Sequence, residues 1–195
     1  MAEGARRPAL VGLSLANRVT AGASVRLAEV AFPAQLSVRL RPGGAAANRA
    51  AGVLGVPLPE APNTAALAAD TRVLWLGPDE WLVLAPDGDA SRLQAELSSA
   101  LGSEPGSVID VSAQRAVLSL SGPNGREVLA KGCPIDLHPS VFGPGRCAQT
   151  LLAKARVVVL PVGPDEFWIL VGASFSGYLV EWLLDAMSEY DAKAS

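Results

Sequence analysis

Two apolar runs separated by a short polar turn occur twice in this chain. Gly-Pro-Asp-Glu at 77–80 forms the first turn, and the same four residues at 163–166 form the second. Each copy lies between apolar runs, which occupy 73–76, 81–84, 157–160 and 167–170. Proline presets φ for the first corner of a turn, and aspartate can hydrogen-bond its own backbone. The pattern predicts a duplicated β-hairpin with a loop of roughly four residues in each copy.

Helix-type patterns lie on both sides of the first hairpin. Ala45 to Leu54 contains strong helix formers and follows a Pro-Gly-Gly stop. After the hairpin, Leu93, Leu97 and Leu101 recur at i, i+4 and i+8, and Asp89 offers an N-cap. These spacings predict two helices in the first half of the chain.

The second half carries a comparable pair of helix signals. Gly122-Pro123 opens a short helix that runs through Lys131. Ser174 or Ser176 is placed to cap a last helix. One face of that last helix carries Leu179, Trp182, Leu183, Ala186 and Met187.

The remaining strand-like segments complete a repeated order of elements. They lie at 25–31, 36–40, 108–112, 116–120 and 150–152. Each half then reads β-α-β-β-α with an extra strand at its start. One such half would leave a sheet edge and an apolar face open, which a second half can cover. The predicted fold class is α+β, with two duplicated ferredoxin-like halves around a pseudo-twofold axis.

The domain organisation follows from this order. Residues 1–20 are read as an extended N-terminal arm, because their apolar core is too short and too interrupted for a secretory signal. Residues 21–189 are expected to form one unit made of two pseudo-repeats, about 21–106 and 107–189. The polar residues 190–195 are expected to form a frayed tail.

Composition and charge narrow the class of partner. Apolar residues make up 50% of the chain and charged residues only 18%, which indicates a large subunit interface or many buried alanines. The net charge is −3 and no Lys/Arg run is present, which argues against nucleic acid and against an anionic membrane surface. The apolar stretches are too short to cross a bilayer. We therefore expect a cytoplasmic protein.

Few side chains suggest chemistry, and no catalytic, cofactor-binding or metal-binding residue is predicted. His138 is the only histidine, without a recognisable nucleophile motif, and a structural hydrogen-bonding role is preferred. Cys133 and Cys147 are not in a Cys-x-x-Cys arrangement and are read as free thiols. Gly43-Gly44 before a helix lacks a nucleotide-binding pattern. Asp79-Glu80, like its duplicate in the second hairpin, is read as part of a solvated turn.

The tryptophans are the candidate interface residues. Tryptophan is favoured at protein–protein hot spots, although core packing is the simpler explanation for a tryptophan in a hairpin. The candidates for a subunit interface are Trp75, Trp81, Trp168 and Trp182.

Four ordered motifs carry a family resemblance. They are Leu-Trp-Leu-Gly-Pro-Asp-Glu-Trp-Leu at 74–82, Val-Ile-Asp-Val-Ser at 108–112, Cys-Pro-Ile-Asp-Leu-His-Pro at 133–139, and Ser-Phe-Ser-Gly-Tyr-Leu-Val-Glu-Trp-Leu-Leu-Asp-Ala at 174–186. Through them the chain resembles the gamma subunit family of heterotetrameric sarcosine oxidase over roughly residues 21–190.

A more distant likeness concerns the fold. Asp110-Val-Ser112 with Ser121-Gly-Pro123 is similar to the start of the folate-binding domain of glycine-cleavage aminomethyltransferases, which are built on duplicated ferredoxin-like halves. Where those enzymes carry a catalytic aspartate, residues 150–156 here contain no carboxylate. Lys131-Gly132-Cys133 is superficially similar to the cysteine motif of folate-dependent iron–sulfur assembly proteins.

The resemblance implies an accessory subunit that binds no cofactor itself. Its partners would be alpha, beta and delta subunits, in an assembly that oxidatively demethylates sarcosine to glycine and forms hydrogen peroxide and methylene-tetrahydrofolate. FAD and covalent FMN are expected in beta and at its contact with alpha, NAD and folate in alpha, and zinc in delta. The alternatives are a stand-alone folate-binding one-carbon-transfer enzyme, an iron–sulfur assembly protein and a free-standing binding module.

Overall fold

The computed structural model describes residues 24–31 and 33–190. The predicted arm at 1–20 and residues 191–195 of the predicted tail lie outside the described residues. Tyr190, the first residue of that predicted tail, ends a short 3-10 helix, Ser188–Tyr190.

Ten strands and four α-helices are present in the described part of the chain. The first half contains β1 (Arg26–Glu29), β2 (Ala34–Leu40), α1 (Ala45–Leu54), β3 (Ala65–Ala68), β4 (Thr71–Gly77), β5 (Glu80–Ala85) and α2 (Ala90–Leu101). The second half contains β6 (Gly106–Asp110), β7 (Arg115–Ser121), α3 (Gly125–Ala130), β8 (Ala148–Leu152), β9 (Ala155–Gly163), β10 (Glu166–Gly172) and α4 (Ser176–Met187).

These strands form two five-stranded antiparallel sheets. Sheet 1 has the order β3-β4-β5-β2-β6, and sheet 2 has the matching order β8-β9-β10-β7-β1. The outermost strand at one end of each sheet therefore comes from the other half of the chain: β6 pairs with β2, and β1 pairs with β7. The two halves are interlocked by this exchange of strands.

The ferredoxin-like unit becomes visible once the exchanged strand is included. Within sheet 1, the order β2-α1-β4-β5-α2-β6 is the β-α-β-β-α-β motif, with β3 added at the edge beside β4. In sheet 2 the closing strand is β1, which precedes the rest of the motif in the chain. The predicted α+β class with duplicated ferredoxin-like halves is confirmed.

The core is divided among three apolar clusters, which define four layers. One cluster joins sheet 1 to α1 and α2, and another joins sheet 2 to α3 and α4. The third, the inter-sheet cluster, contains Leu74 and Leu82 from sheet 1 together with Val158 and Leu170 from sheet 2. The sheets therefore pack face to face, with the helices outside.

Burial on both faces explains why the hairpin strands are continuous apolar runs. In β5, Trp81 and Val83 face the helices, whereas Leu82 and Leu84 face the other sheet. Antiparallel strands usually alternate apolar and polar residues because one face is in water. Here both faces of the central strands β5 and β10 are covered, so these two strands show no polar alternation.

Each predicted hairpin is present, but its loop is shorter than predicted. Gly77 pairs with Glu80 in the first hairpin, so only Pro78 and Asp79 form the loop. The second hairpin has the same arrangement. The carbonyl of Asp79 accepts a hydrogen bond from the Leu40 amide, and the carbonyl of the equivalent Asp165 accepts one from the Gly122 amide. These bonds connect both turns to the ends of neighbouring strands. A two-residue loop is therefore sufficient in each hairpin.

The predicted N-cap of α2 is confirmed in position, but the predicted caps of α4 are wrong. Asp89 is the N-cap residue of α2, although its side chain makes no capping bond and its carboxylate accepts a hydrogen bond from Arg92 at 3.0 Å. Neither Ser174 nor Ser176 caps α4: the Ser176 hydroxyl donates to the Ala173 carbonyl at 2.7 Å. Helix α1 ends at Gly55, which follows its last residue and adopts a left-handed conformation.

Strand β3 was not predicted from the sequence. It consists of Ala-Ala-Leu-Ala, without β-branched or aromatic residues. Its position is set by pairing with β4 and by a backbone hydrogen bond from the Ala65 amide to the Gly145 carbonyl. The segments that precede β3 and β8 also pair with each other through Thr64 and Arg146, which adds a second link between the halves.

Candidate functional site

The four candidate tryptophans lie in different environments. Trp81 has no exposed surface, and its indole N–H donates to the Pro59 carbonyl at 2.8 Å. This satisfies the polar atom of a ring that is otherwise enclosed by the core of sheet 1 and its helices. Trp81 is therefore a core residue, and its prediction as a direct interface contact is corrected.

The other three tryptophans keep part of their surface exposed. Trp168 lies at the margin of the inter-sheet cluster, with the Arg72 guanidinium carbon 4.3 Å from its ring centre. Trp182 packs against the core of sheet 2, close to Gly132. Trp75 packs against the core of sheet 1. Their role in an interface stays a prediction.

Exposed apolar side chains were missed in the sequence. Leu67, Leu151 and Ile109 are 59%, 44% and 53% exposed and lie on β3, β8 and β6, which are outer strands of the two sheets. Phe175 and Tyr178 form an exposed edge-to-face pair at the start of α4. An outer strand with apolar side chains is a surface on which another chain can pack. Only knowledge of the strand order identifies these residues as edge positions.

Two clefts open at equivalent ends of the two sheets. When the halves are aligned on Gly-Pro-Asp-Glu, Leu84 corresponds to Leu170 and Pro86 to Gly172. The Arg72 cleft, about 310 Å³, is lined by Leu84 and Pro86 together with Asp70, Arg72 and Trp168. The Arg115 cleft, about 750 Å³, is lined by Leu170 and Gly172 together with Arg115, Arg156 and Leu151. The duplicated fold thus has two related surfaces of different chemistry.

The two clefts differ in how their cations are compensated. Burial lowers the pKa of Arg72, and the nearby charges of Asp70 and Glu166 partly offset that effect. Burial also lowers the pKa of Arg115, where only Glu80 acts in the opposite direction. The Glu80 carboxylate lies 2.6 Å from the Arg39 guanidinium and is already paired. Arg115 is consequently the less well compensated of the two half-buried guanidinium groups.

His138 makes local hydrogen bonds, and its structural role stays a prediction. Its Nδ1 is 2.7 Å from the Ser140 hydroxyl, and its amide donates to the Asp136 carboxylate at 2.8 Å. Its carbonyl accepts bonds from the amides of Val141 and Phe142. The side chain is exposed, and the contacts hold a turn after α3.

Both thiols are free and buried, as predicted. Cys133 belongs to the core of sheet 2 and Cys147 to the inter-sheet cluster. Burial raises the pKa of Cys133, and it raises the pKa of Cys147 to about 11. A thiol with a raised pKa is a poor nucleophile at neutral pH, so these positions are suited to packing.

The sequence motif at 110–112 forms the crossing between the sheets. Asp110 ends β6 in sheet 1, and β7 of sheet 2 begins at Arg115. The Ser112 hydroxyl donates to the Asp110 carboxylate at 2.5 Å and accepts a bond from the backbone amide of Gln35 at 2.9 Å. These bonds join the crossing to β2, which explains the residue types structurally.

The other polar candidates are in structural settings. Asp79 and Asp165 are exposed in their turns, and the Glu166 carboxylate accepts a bond from the Ser119 hydroxyl at 3.0 Å. At the start of α1, the Glu104 carboxylate would be 3.1 Å from a Cβ placed on Gly44. A carboxylate at that position disfavours a second anion there.

The described residues provide neither a metal-ligating cluster nor a membrane-spanning helix. No group of three or more His, Cys, Asp or Glu side chains is arranged to hold a metal ion. No helix within the described ranges is long and apolar enough to cross a membrane.

Solved structures define the class of fold. An aminomethyltransferase of the glycine cleavage system from Bartonella henselae matches with a TM-score of 0.64 at 19% identity, over 87% of this chain and 48% of that one. At that identity the likeness concerns the fold alone. The chain therefore has the duplicated α+β fold of the aminomethyltransferase folate-binding region.

Closer relatives identify the family. The family described as "Sarcosine oxidase, gamma subunit family" matches residues 40–189. A sarcosine oxidase subunit gamma from Arthrobacter sp. is 48% identical over 91% of this chain and 86% of its own length. A chain of the heterotetrameric sarcosine oxidase from Corynebacterium sp. U-96 matches with a TM-score of 0.89 at 44% identity, over 97% of this chain and 98% of that chain. The chain belongs to the sarcosine oxidase gamma subunit family.

Proposed function

We propose that this chain is the accessory gamma subunit of a heterotetrameric sarcosine oxidase and that it holds the other subunits in register. The observation that carries the proposal is the match to a chain of a heterotetrameric sarcosine oxidase over nearly the full length of both chains. Apolar side chains on the outer strands of both sheets support it, because a partner would remove that surface from water.

We propose further that no residue of this chain takes part in the chemical steps. The environments of the polar candidates support this. His138 is held in an exposed turn by Ser140, and burial raises the pKa of both Cys133 and Cys147. The two thiols are buried, and the Asp136 carboxylate beside His138 accepts from the backbone amide of His138 and so does not orient its imidazole toward Ser140 as the third group of a triad would.

The partners in this proposal are alpha, beta and delta subunits. Together they would oxidatively demethylate sarcosine to glycine and form hydrogen peroxide and methylene-tetrahydrofolate. FAD, FMN, NAD and zinc would be held by those subunits. A cytoplasmic location belongs to the same proposal, and the unpaired Cys133 and Cys147 support it, because reducing compartments keep thiols free.

The proposal is tested by purifying the chain with an affinity tag from its own cells. We expect three further subunits by mass spectrometry, a flavin absorption spectrum and sarcosine-dependent formation of hydrogen peroxide. Recovery of a colourless solitary chain, in cells shown to express the flavin subunits, would contradict the proposal.

A folate titration of the isolated chain separates the accessory function from a folate enzyme. We expect no saturable binding of tetrahydrofolate to the chain alone, because residues 150–156 lack the carboxylate that the aminomethyltransferases carry in the corresponding region. Saturable binding by the solitary chain would support a folate-binding enzyme and would argue against the accessory function.

A further inference from the structure

The Arg115 cleft is a part of sheet 2 that sheet 1 leaves uncovered. Val158 and Leu170 lie on the face of sheet 2 that packs against sheet 1. Residues two apart on a strand share a face, so Arg156 lies on the same face as Val158. Arg115 pairs with Gly172, and Leu151 pairs with Arg156. The cleft is thus one end of the inter-sheet face, and it runs across four strands to the outer strand β8.

In the equivalent Arg72 cleft of sheet 1, other residues of the same chain compensate the charge of the cation. There Asp70 occupies the position of Arg156, and the aromatic ring of Trp168 covers one face of the Arg72 guanidinium. Asp87 also lines that cleft. The cation of the Arg72 cleft therefore has acidic and aromatic neighbours within the chain.

The Arg115 cleft contains the opposite balance of charge. Arg115 and Arg156 both line it, and none of its described lining residues is acidic. Arg115 is half-buried, and the ion pairs among the described residues do not include it. The charge of Glu80 acts on Arg115, but the Glu80 carboxylate is paired with Arg39. Removing a guanidinium from water without its own counter-charge is unfavourable. The free chain therefore presents a partly desolvated cation to whatever enters this cleft.

The remaining lining favours a polypeptide rather than a small ion. Leu151 is 44% exposed at the outer strand and offers an apolar contact beside the cations. Thr150 lines the same cleft, and Gln149 reaches across to sheet 1, where its amide donates to the Leu76 carbonyl at 2.7 Å. An open cleft of about 750 Å³ beside an outer strand has room for a segment of chain.

We propose that the Arg115 cleft receives an acidic segment of a neighbouring subunit, with a carboxylate that pairs with Arg115 and is also attracted by Arg156. The inference rests on the proposed accessory function, since it takes the occupant from the same assembly. A planar guanidinium can bind a carboxylate in bidentate fashion, which fixes orientation as well as charge. The cleft would therefore set the register of the subunit contact.

The test uses the heterotetramer, made by co-expression with its partner subunits. Arg115→Gln and the double variant Arg115→Gln with Arg156→Gln are compared with the natural chain, and Arg92→Gln on the exposed surface of α2 is the control. The dissociation constant for release of this chain is measured by dilution at several salt concentrations. We expect Arg115→Gln to weaken assembly by about ten-fold or more, whereas Arg92→Gln stays within about two-fold.

Salt dependence and a conservative variant distinguish docking from misfolding. Assembly of the natural chain is expected to weaken as salt rises, and the double variant is expected to lose most of that dependence. Arg115→Lys should restore part of the affinity, since it keeps the charge but loses the bidentate geometry. A variant that merely misfolds would not produce this pattern.

The outcomes separate this inference from the proposed function. If the natural chain assembles and the double variant assembles with the same affinity and salt dependence, the docking inference is overturned and the proposed function stands. The docking inference is also overturned if glutarate binds the free chain through Arg115 while the double variant assembles normally, because the cleft would then be a small-anion site. If the natural chain itself does not assemble, both ideas fail together.

Discussion

The guanidinium carbon of Arg72 lies 4.3 Å from the centre of the Trp168 ring. Arg72 belongs to β4 in sheet 1 and Trp168 to β10 in sheet 2, so this contact joins the two sheets at the margin of their shared cluster. Arg72 also lies near Asp70 and Glu166, whose charges favour its protonated form. The contact is a cation–π interaction at the edge of the otherwise apolar packing between the two sheets.

A double-mutant cycle measures the energetic coupling between Arg72 and Trp168. Arg72→Ala and Trp168→Ala are expected to show a coupling of about 0.5–1 kcal/mol in the free energy of unfolding, because a partly exposed cation–π contact has that magnitude. Chemical denaturation of the purified variants gives the value. Arg92→Ala on the exposed surface of α2 is the control and should be additive with Trp168→Ala. Additivity of Arg72→Ala with Trp168→Ala would contradict an energetic role for the contact.

Two glycine substitutions are expected to change stability in opposite directions. A Cβ on Gly132 would lie 2.7 Å from the Trp182 ring and 3.0 Å from the Ala153 amide nitrogen. Gly132→Ala should therefore destabilise the chain by about 1–3 kcal/mol, as overpacking does. Gly52 lies on the exposed side of α1 with nothing within 4 Å of its Cβ position, so Gly52→Ala should stabilise by about 0.5–1 kcal/mol.

Thermal and urea unfolding of both glycine variants check this pair of predictions. The variants serve as controls for each other, since the same methyl group is added in both. Equal effects of the two substitutions would show that the packing of Trp182 against Gly132 is not a constraint.

Cys147 is expected to make stability depend on pH under alkaline conditions. Its buried thiol donates to the Thr64 carbonyl at 3.2 Å, and burial raises its pKa from 9.0 to about 11. Between these values the folded state keeps a proton that the unfolded state loses, so stability falls as pH rises through that window. The contribution is fully present below about pH 9 and its loss is on the order of 2–3 kcal/mol.

The alkaline prediction is checked by urea denaturation of the natural chain and of Cys147→Ala at a series of pH values. The variant should show a smaller fall in unfolding free energy between pH 9 and pH 11. An identical slope for both proteins would show that Cys147 does not titrate differently in the folded state. Thiol reagents should also label Cys147 slowly until denaturant is added.

The partly exposed tryptophans are expected to matter for assembly. Trp75→Ala, Trp168→Ala and Trp182→Ala should each lower the yield of heterotetramer, by weakening the subunit contact, without changing the flavin spectrum of the complex that remains. Trp81→Phe is the matched core variant. It loses the bond to Pro59 and should lower stability by about 1–3 kcal/mol while leaving the affinity of folded chains unchanged. Unchanged yield for all three exposed positions would contradict their assignment.

The local structure was largely predictable from residue patterns. The helix predicted over 45–54 has those bounds, and the predicted apolar residues Leu93, Leu97 and Leu101 are buried. Such features depend on interactions between neighbours in the chain, which the sequence displays directly. Asp89 lies at the predicted N-cap of α2 but makes no capping bond, because a side chain near a helix start has more than one partner within reach, in this case Arg92.

The interface candidates were only partly predictable. The sequence singled out tryptophan by type, yet Trp81 is enclosed while Trp168 is partly exposed, although both follow equivalent turns closely. A sequence signal at Arg115 was missed. Arg115 lies two residues before the buried Val117 on β7, so both side chains are on the same face of the strand and a charged residue continues an apolar face. The significance of that charge depends on how far the opposite sheet extends.

The duplicated hairpins, the helices, the apolar faces and the family could be predicted from residue types, because each is a short-range pattern. The exchange of β1 and β6 between the sheets, the edge position of β3 and the open cleft at Arg115 became apparent only from the folded chain. The physical reason is that periodicity specifies how much of a strand is buried, but not which edge it joins or what covers its face. Those choices depend on contacts between residues far apart in the chain.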